Sequence, residues 1–180
     1  MQNKDQTFSK FCEFKALVEK ESRKQVKALR SDNGGEYIFN EFKEFCNKEG
    51  IQREIIAPHN PQQNGVAERK NRTIVGAARV MLHDQGLPIH LWVEACNTAI
   101  YVQNRCRHRI LSMSTPEEAF TSKKPYVSLF NIFGSYVYVH VTKNARKKLE
   151  RTTEVCIFVG YTKTPHDYRV YFPNSRMIVV

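Results

Sequence analysis

The 180-residue chain has no uncharged apolar run near the roughly 18 residues that a membrane helix needs. Nor do Met1-Gln2-Asn3-Lys4-Asp5 open an apolar secretory segment. Together these lead to the expectation of an intracellular soluble protein, placed in nucleus and cytoplasm, with no membrane partner. The five cysteines, Cys12, Cys46, Cys96, Cys106 and Cys156, are odd in number and never spaced C-x-x-C. That pattern argues against a disulfide framework and a structural zinc site, and for reduced, mostly buried thiols. Internal repeats and low-complexity runs are also lacking, which excludes solenoids and biased linkers.

What the chain has is apolar material and positive charge. Hydrophobic residues make up 41% and aromatics 11%, enough for a packed core. The formal charge is +10, from 28 Lys and Arg against 18 Asp and Glu. It divides unevenly: residues 1–50 carry 10 basic and 9 acidic residues, 51–104 carry 5 and 4, and 105–180 carry 13 and 5. A positive field confined to the last segment suits a polyanion, because each Lys or Arg on a phosphate releases condensed counterions. A solvated basic face with no partner is the competing reading.

Periodicity outlines the elements. Phe8, Phe11, Cys12, Phe14, Leu17 and Val18 form an apolar stripe on a helix from Asp5 to Ser22. Val26 to Arg30 alternates like a strand, and Ser31-Asp32-Asn33-Gly34-Gly35 is turn chemistry, so Asp32 is expected at a strand's C-terminal end. Ile38, Phe42, Phe45 and Cys46 predict a helix closed by Gly50, and Ile51 to Ile56 a second strand. Two prolines make 57–63 irregular, with Asn64 expected to start a helix to about Gln85. A further helix, Ile89 to Arg105, is expected to bury Trp92, Cys96 and Ala99. Beyond residue 120 the period becomes that of strands: Tyr136–Val141, Val155–Val159, Tyr168–Phe172 and Arg176–Val180. These predict an α/β layer followed by a small β-barrel or sandwich, with a boundary near 121–131.

Two carboxylates stand out by position, Asp32 at the strand end and Glu68 in the first turn of a helix after an irregular loop. Ligands favour the carboxyl ends of strands in α/β layers, and a hard divalent ion takes one or two carboxylates plus substrate phosphate. A structural turn role for Asp32 is the alternative.

The surrounding motifs are more specific. Arg30-Ser31-Asp32-Asn33-Gly34-Gly35-Glu36-Tyr37 is followed by Pro61-Gln62-Gln63-Asn64-Gly65-Val66-Ala67-Glu68-Arg69-Lys70-Asn71-Arg72-Thr73, with 35 residues between Asp32 and Glu68. Downstream come Thr115-Pro116-Glu117-Glu118-Ala119-Phe120, Lys124-Pro125, Phe133-Gly134 and Cys156-Ile157-Phe158-Val159-Gly160-Tyr161. Together these resemble the integrase core of copia-type LTR retrotransposon Pol polyproteins and the SH3-like region that follows it.

The resemblance implies a partial RNase H-like core over 1–120, a linker over 121–131 and an SH3-like β-barrel over 132–180. It implies Mg²⁺ or Mn²⁺ as cofactor, with Asp32 ligating one ion and Glu68 the other. Two such ions about 3.5 to 4 Å apart stabilise the attacking and leaving oxygens of phosphoryl transfer. The implied reaction trims the 3′ ends of element DNA and joins them to target DNA. DNA, both element ends and target, is the implied partner, with a homo-oligomer possible. The DNA-contacting positions are His59, where the family often has Tyr, with Gln62, Asn64, Lys70 and Arg72; the basic Arg105, Arg107 and Arg109 extend the set. Bland readings stand beside these: Asn64 as a helix cap, Arg72 as an ion-pair partner of Glu68, and Trp92 as core. His83, His90, His140 and His166 show no ligand spacing.

The family's first catalytic Asp, on the opening strand of a three-stranded meander, has no counterpart here, and neither has its zinc-binding His/Cys module. Asp5 falls in the segment leading into the first helix and is not promoted to that role. The expectation is an integrase-derived fragment, inactive alone. The alternatives are a non-catalytic DNA-binding remnant and, more weakly, an RNase H-fold nuclease unrelated to transposition.

Overall fold

The computed structural model describes residues 6–31, 40–55, 61–141, 151–162, 164 and 167–180; at 6 and 61–64 only the backbone is described. The chain divides into two compact units, Met1–Lys70 and Asn71–Val180. That grouping is one of packing. No helix among the described residues is long and apolar enough to cross a membrane.

The first unit is built on aromatic packing. Helices α1 (Gln6–Ser22) and α2 (Asn40–Lys48) accompany strands β1 (Ala28–Ser31) and β2 (Gln52–Ile55), which pair in parallel from Ala28↔Gln52 to Ser31↔Ile55. Phe42, Cys46 and Ile51 are buried, with Phe8, Phe11, Val26, Leu29 and Phe45 against them. Phe8 lies 5.5 Å from the Phe42 ring and 5.4 Å from Phe45, both edge to face, the favourable geometry for the ring quadrupoles. Gly50 takes φ 68°, and Ile51 N–H donates to Cys46 O at 2.8 Å, so the expected glycine stop closes α2. Lys15 of α1 donates to both Glu19 and Glu49, at 2.7 and 2.8 Å. Glu19 in turn accepts Val26 N–H at 2.8 Å, which ties the helix to the run into β1.

Helix α3 (Pro61–Asp84) starts three residues earlier than expected. A proline is suited to a helix's first turn, where its missing N–H has no intrahelical partner and its φ is already helical. Asn64 is therefore inside the helix and not its cap. Gly86, at φ 59°, ends α3, with Leu87 N–H donating to Leu82 O at 2.9 Å.

In the second unit a 3₁₀ turn, Ile89–Leu91, leads into α4 (Trp92–Arg105), and α5 (Pro116–Thr121) is capped by Thr115 Oγ1 accepting Glu118 N–H at 3.1 Å. The sheet runs β3 (Tyr136–His140), β4 (Thr153–Tyr161), β5 (Tyr168–Phe172) and β6 (Met177–Val179), antiparallel and in chain order. All four expected strands form. Closure into a barrel does not follow among the described residues: the sheet is an open meander with β3 and β6 at its edges.

The core of this unit joins helices and sheet: Ala78, Leu82, Leu91, Ala95, Phe133, Val159 and Tyr171 are buried together. The buried face of α4 is thus set by Leu91, Ala95, Thr98 and Ala99. Trp92 is turned away from that face and is 55% exposed, so its expected place in the core is corrected. Cys96 is only partly buried, while Ala99 is buried as expected.

One polar tie fixes α4 on the sheet. Glu94, 8% exposed, accepts from Arg169 Nε at 2.7 Å and Nη2 at 2.8 Å, a bidentate pair. One turn on, Thr98 Oγ1 donates to Val159 O at 3.1 Å. Gly160, at φ 153°, lets the strand approach: a Cβ there would meet Thr98 Oγ1 at 3.0 Å. Gly134, at φ 89°, is tighter still, since a Cβ would lie 2.6 and 2.7 Å from the Gln85 side chain. Its N–H donates to Phe158 O at 2.8 Å and holds the sheet's entry.

Two stability outcomes follow. Glu94→Ala strands the Arg169 guanidinium and lowers unfolding free energy by about 1.5–3 kcal/mol. Gly134→Ala costs about 1–3 kcal/mol from positive φ and overlap. Urea denaturation measures both; a change under about 0.5 kcal/mol in either would contradict the packing described.

Candidate nucleic-acid and metal-binding residues

The two expected metal ligands fare differently. Asp32 lies outside the described residues; β1 reaches Ser31, its immediate neighbour. Glu68 sits on α3 with its side chain exposed. Among the described residues no three His, Cys, Asp or Glu side chains come together as a metal site. Glu68 is thus the one of the two motif carboxylates that the structure describes, and its exposed carboxylate is of the oxygen-donor type that a hard divalent ion takes.

Of the expected DNA contacts near Glu68, His59 lies outside the described residues, and the side chains of Gln62 and Asn64 are not described. Lys70 and Arg72 are exposed on α3. Helical spacing places Glu68, Arg72 and Arg79 along one exposed stripe. The alternative reading of Arg72 as an ion-pair partner of Glu68 is not realised among the described residues. Arg69 is engaged locally, its Nε donating to Gly65 O one turn back at 2.9 Å.

The three downstream arginines divide. Arg105 is half-buried and already partnered. Its guanidinium carbon lies 3.5 Å from the Tyr101 ring centroid, Nη2 is 2.8 Å from Glu117 Oε2, and Nη1 donates to Tyr101 O at 3.3 Å. A cation spent on a ring and a carboxylate has little left for phosphate. Arg107 and Arg109 are exposed, in the turn that follows α4. The turn is closed by His108 N–H donating to Ser114 O at 2.9 Å and Met113 N–H to His108 O at 3.3 Å, with Ser112 and Met113 at φ 52° and 70°.

Beside Arg105 lies an aromatic cluster: Tyr101 stacks on Tyr161 at 4.2 Å, and Tyr161 meets Phe158 edge to face at 5.1 Å. Tyr161 Oη donates to Asn131 O at 3.2 Å and accepts Asn131 N–H at 2.8 Å. Burial pushes the Tyr161 phenol above its usual range, so it stays a neutral structural pin. All five thiols are free, and burial raises Cys46 and Cys156, which keeps them protonated. The thiol reading holds for these two; Cys106 is exposed.

Sequence reasoning missed the Glu94–Arg169 pair, 75 residues apart, for which no local signal exists. The Tyr101–Arg105 stack was within reach, since i and i+4 share a helix face.

Residues 135–180 match the family of retroviral polymerase SH3-like domains. The retrovirus-related Pol polyprotein from transposon TNT 1-94 of Nicotiana tabacum is 43% identical over 179 residues, 99% of this chain and 14% of that protein. The corresponding polyprotein from transposon RE2 of Arabidopsis thaliana is 30% identical over 178 residues, 98% of this chain and 12% of that protein. The chain therefore spans about one seventh or less of these relatives. Among solved structures, a chain of the cryo-EM structure of the simian T-cell lymphotropic virus intasome in complex with PP2A regulatory subunit B56 gamma is similar at TM-score 0.54 and 15% identity, over 94% of this chain and 62% of that one. At that identity the likeness is one of fold.

The division among the arginines is testable by thermal melting. Arg105→Ala is expected to cost about 1–2 kcal/mol, through the lost carboxylate pair and ring contact. Arg107→Ala leaves the melting temperature within a degree or two. Equal effects would contradict the separation of structural from surface arginines.

Proposed function

We propose, from the premise that this chain belongs with the retrovirus-related Pol polyproteins of transposons, that it is an integrase-derived segment whose own competence is nucleic-acid binding. The observation that carries this is the continuity of the match, 43% identity across 99% of the chain, core-like motifs and SH3-like region alike. In this reading 1–120 is a partial RNase H-like catalytic core, 121–131 a linker and 132–180 an SH3-like barrel region. The ancestral chemistry is metal-dependent DNA strand transfer. Asp32 and Glu68 are the residues that would hold Mg²⁺ or Mn²⁺, and the bound ions would stabilise charge on the attacking and leaving oxygens.

The roles of the chain's own residues follow from charge and exposure. Lys70 and Arg72, both exposed on α3, and Arg107 and Arg109, exposed after α4, are assigned to phosphate contacts; His59, Gln62 and Asn64 complete the contacts that the copia-type motif implies. Eight of the ten net positive charges fall in 105–180, so retention of DNA is assigned chiefly to that part. Phosphate contacts of this kind set affinity and register while carrying little sequence information. Such work belongs to the nucleus for a protein made in the cytoplasm, and a homo-oligomer would bring element ends and target DNA together. A purely non-catalytic DNA-binding remnant is the second reading.

Two assays test the proposal. Incubated with element-end DNA and Mg²⁺, the 180-residue chain alone is expected to give no joined product, because one carboxylate for each ion leaves the two ions without a bridging ligand. Product formation at ordinary enzyme levels would overturn that part. Binding to a DNA duplex is expected to survive Asp32→Ala with Glu68→Ala and to fall steeply between 50 and 200 mM salt, as phosphate-driven binding does. Binding that is insensitive to salt would overturn the assignment.

A further inference from the structure

The turn after α4 and the segment after α5 enclose a cleft of about 410 Å³ in the second unit. Its lining is unusually one-sided in hydrogen-bonding sense. Arg107 and Lys124 supply cations, and Ser112, Ser114 and Thr115 supply hydroxyls, against one carboxylate, Glu118. Arg105 also borders the cleft, yet its charge is already matched by Glu117. Arg107 and Lys124 are exposed, and neither has an ion-pair partner among the described residues.

Thr115 adds a buried donor. Its side chain is 93% hidden, at 7% relative exposure, and its Oγ1 accepts the Glu118 N–H at 3.1 Å. The hydroxyl proton has no acceptor among the described residues. A hydroxyl beside the cleft whose proton is not spent within the protein is able to donate to an acceptor there. The strained turn holds these donors in place: Ser112 and Met113 both adopt positive φ, locked by the hydrogen bonds onto His108 and Arg109. Backbone strain of this kind is held by surrounding structure, and here Ser112, Ser114 and Thr115 all line the one cleft.

We propose that this cleft is a binding site for a phosphate group of a nucleic-acid backbone, with Arg107 and Lys124 neutralising the charge and the hydroxyls of Ser112, Ser114 and Thr115 donating to the phosphate oxygens. A phosphate diester suits the set because its unesterified oxygens accept several hydrogen bonds at once and carry a delocalised negative charge. The two cations, Arg107 and Lys124, outnumber the single carboxylate Glu118 in the lining, so the charge of the cleft favours an anion over a metal cation. Glu118 opposes the anion and tunes the site's affinity downward. The proposal rests on the nucleic-acid-binding reading above and narrows it to one cavity, adding Lys124 and the hydroxyls to Arg107.

The test measures binding of the full 180-residue chain to a fluorescent DNA duplex across a salt series. Arg107→Ala with Lys124→Ala is expected to weaken binding about tenfold at 50 mM salt and to lower the salt slope by about 1. Glu118→Gln is expected to tighten it by about threefold. A control removing two exposed charges outside the cleft, Lys123→Ala with Arg176→Ala, is expected to weaken binding less than threefold; melting curves establish that each variant folds. Loss no greater than the control's, with wild type binding normally, would overturn the cleft and leave the broader reading standing. Failure of the wild-type chain to bind DNA would overturn both. A second arm titrates inorganic phosphate while following the Ser112, Met113 and Ser114 amide resonances. Shifts that DNA also produces support the proposal, whereas phosphate-induced shifts combined with unchanged DNA binding by the double variant would overturn the nucleic-acid source.

Discussion

The second unit depends on a polar tie in a largely apolar seam, the bidentate Glu94–Arg169 pair between α4 and β5. Burying a carboxylate to 8% exposure is costly unless its oxygens are answered, and both are answered by one guanidinium. The pair also fixes register. With Glu94 on Arg169 and Thr98 on the Val159 carbonyl, α4 can slide neither along β4 nor around its own axis without leaving a polar group unsatisfied. The side chains Leu91, Ala95, Val159 and Tyr171 then fill the space that this alignment creates. Apolar packing supplies the larger share of the free energy, and the polar tie selects which packing occurs.

Seen from that constraint, the motif glycines lose their anonymity. Phe133-Gly134 and Val159-Gly160-Tyr161 carried the resemblance as strings of letters, and each letter has a physical task. Gly134 passes the Gln85 side chain where no Cβ fits, Gly160 admits Thr98, Phe133 and Val159 are buried, and Tyr161 pins Asn131 and stacks on Tyr101. The same residues that mark the SH3-like segment are therefore those that seat it on a helix encoded upstream of the expected linker. Sheet and α4 share a core, which is why packing groups them in one unit.

How much of this was legible depended on the range of the interaction. Every strand after residue 120 was readable, because alternation is local, and so was Gly50 as a helix stop. Trp92 was misplaced because periodicity reports that a helix has an apolar face but not which of two adjacent apolar rows meets the core; Leu91 and Ala95 took it. The early start of α3 was hidden by reading Pro61 as a breaker when, at a first turn, it is a helix starter. Barrel closure was beyond reach altogether, since whether four strands close or stay open is decided by shear and edge pairing, not by composition. The Asp32 and Glu68 spacing was legible as a motif, while the exposed setting of Glu68 and the internal engagement of Arg105 were not, because both depend on neighbours far along the chain.

Function in this account resides in exposed charge outside the motif carboxylates, on a scaffold held by the Glu94–Arg169 seam. Amide hydrogen exchange of the whole chain with and without DNA duplex probes that claim most directly. Slowed exchange is expected in 107–115 and 123–127, with any protection along α3 smaller than in those segments. Protection confined to residues 61–72, with 105–180 unchanged, would contradict it and return the DNA contact to the neighbourhood of Glu68.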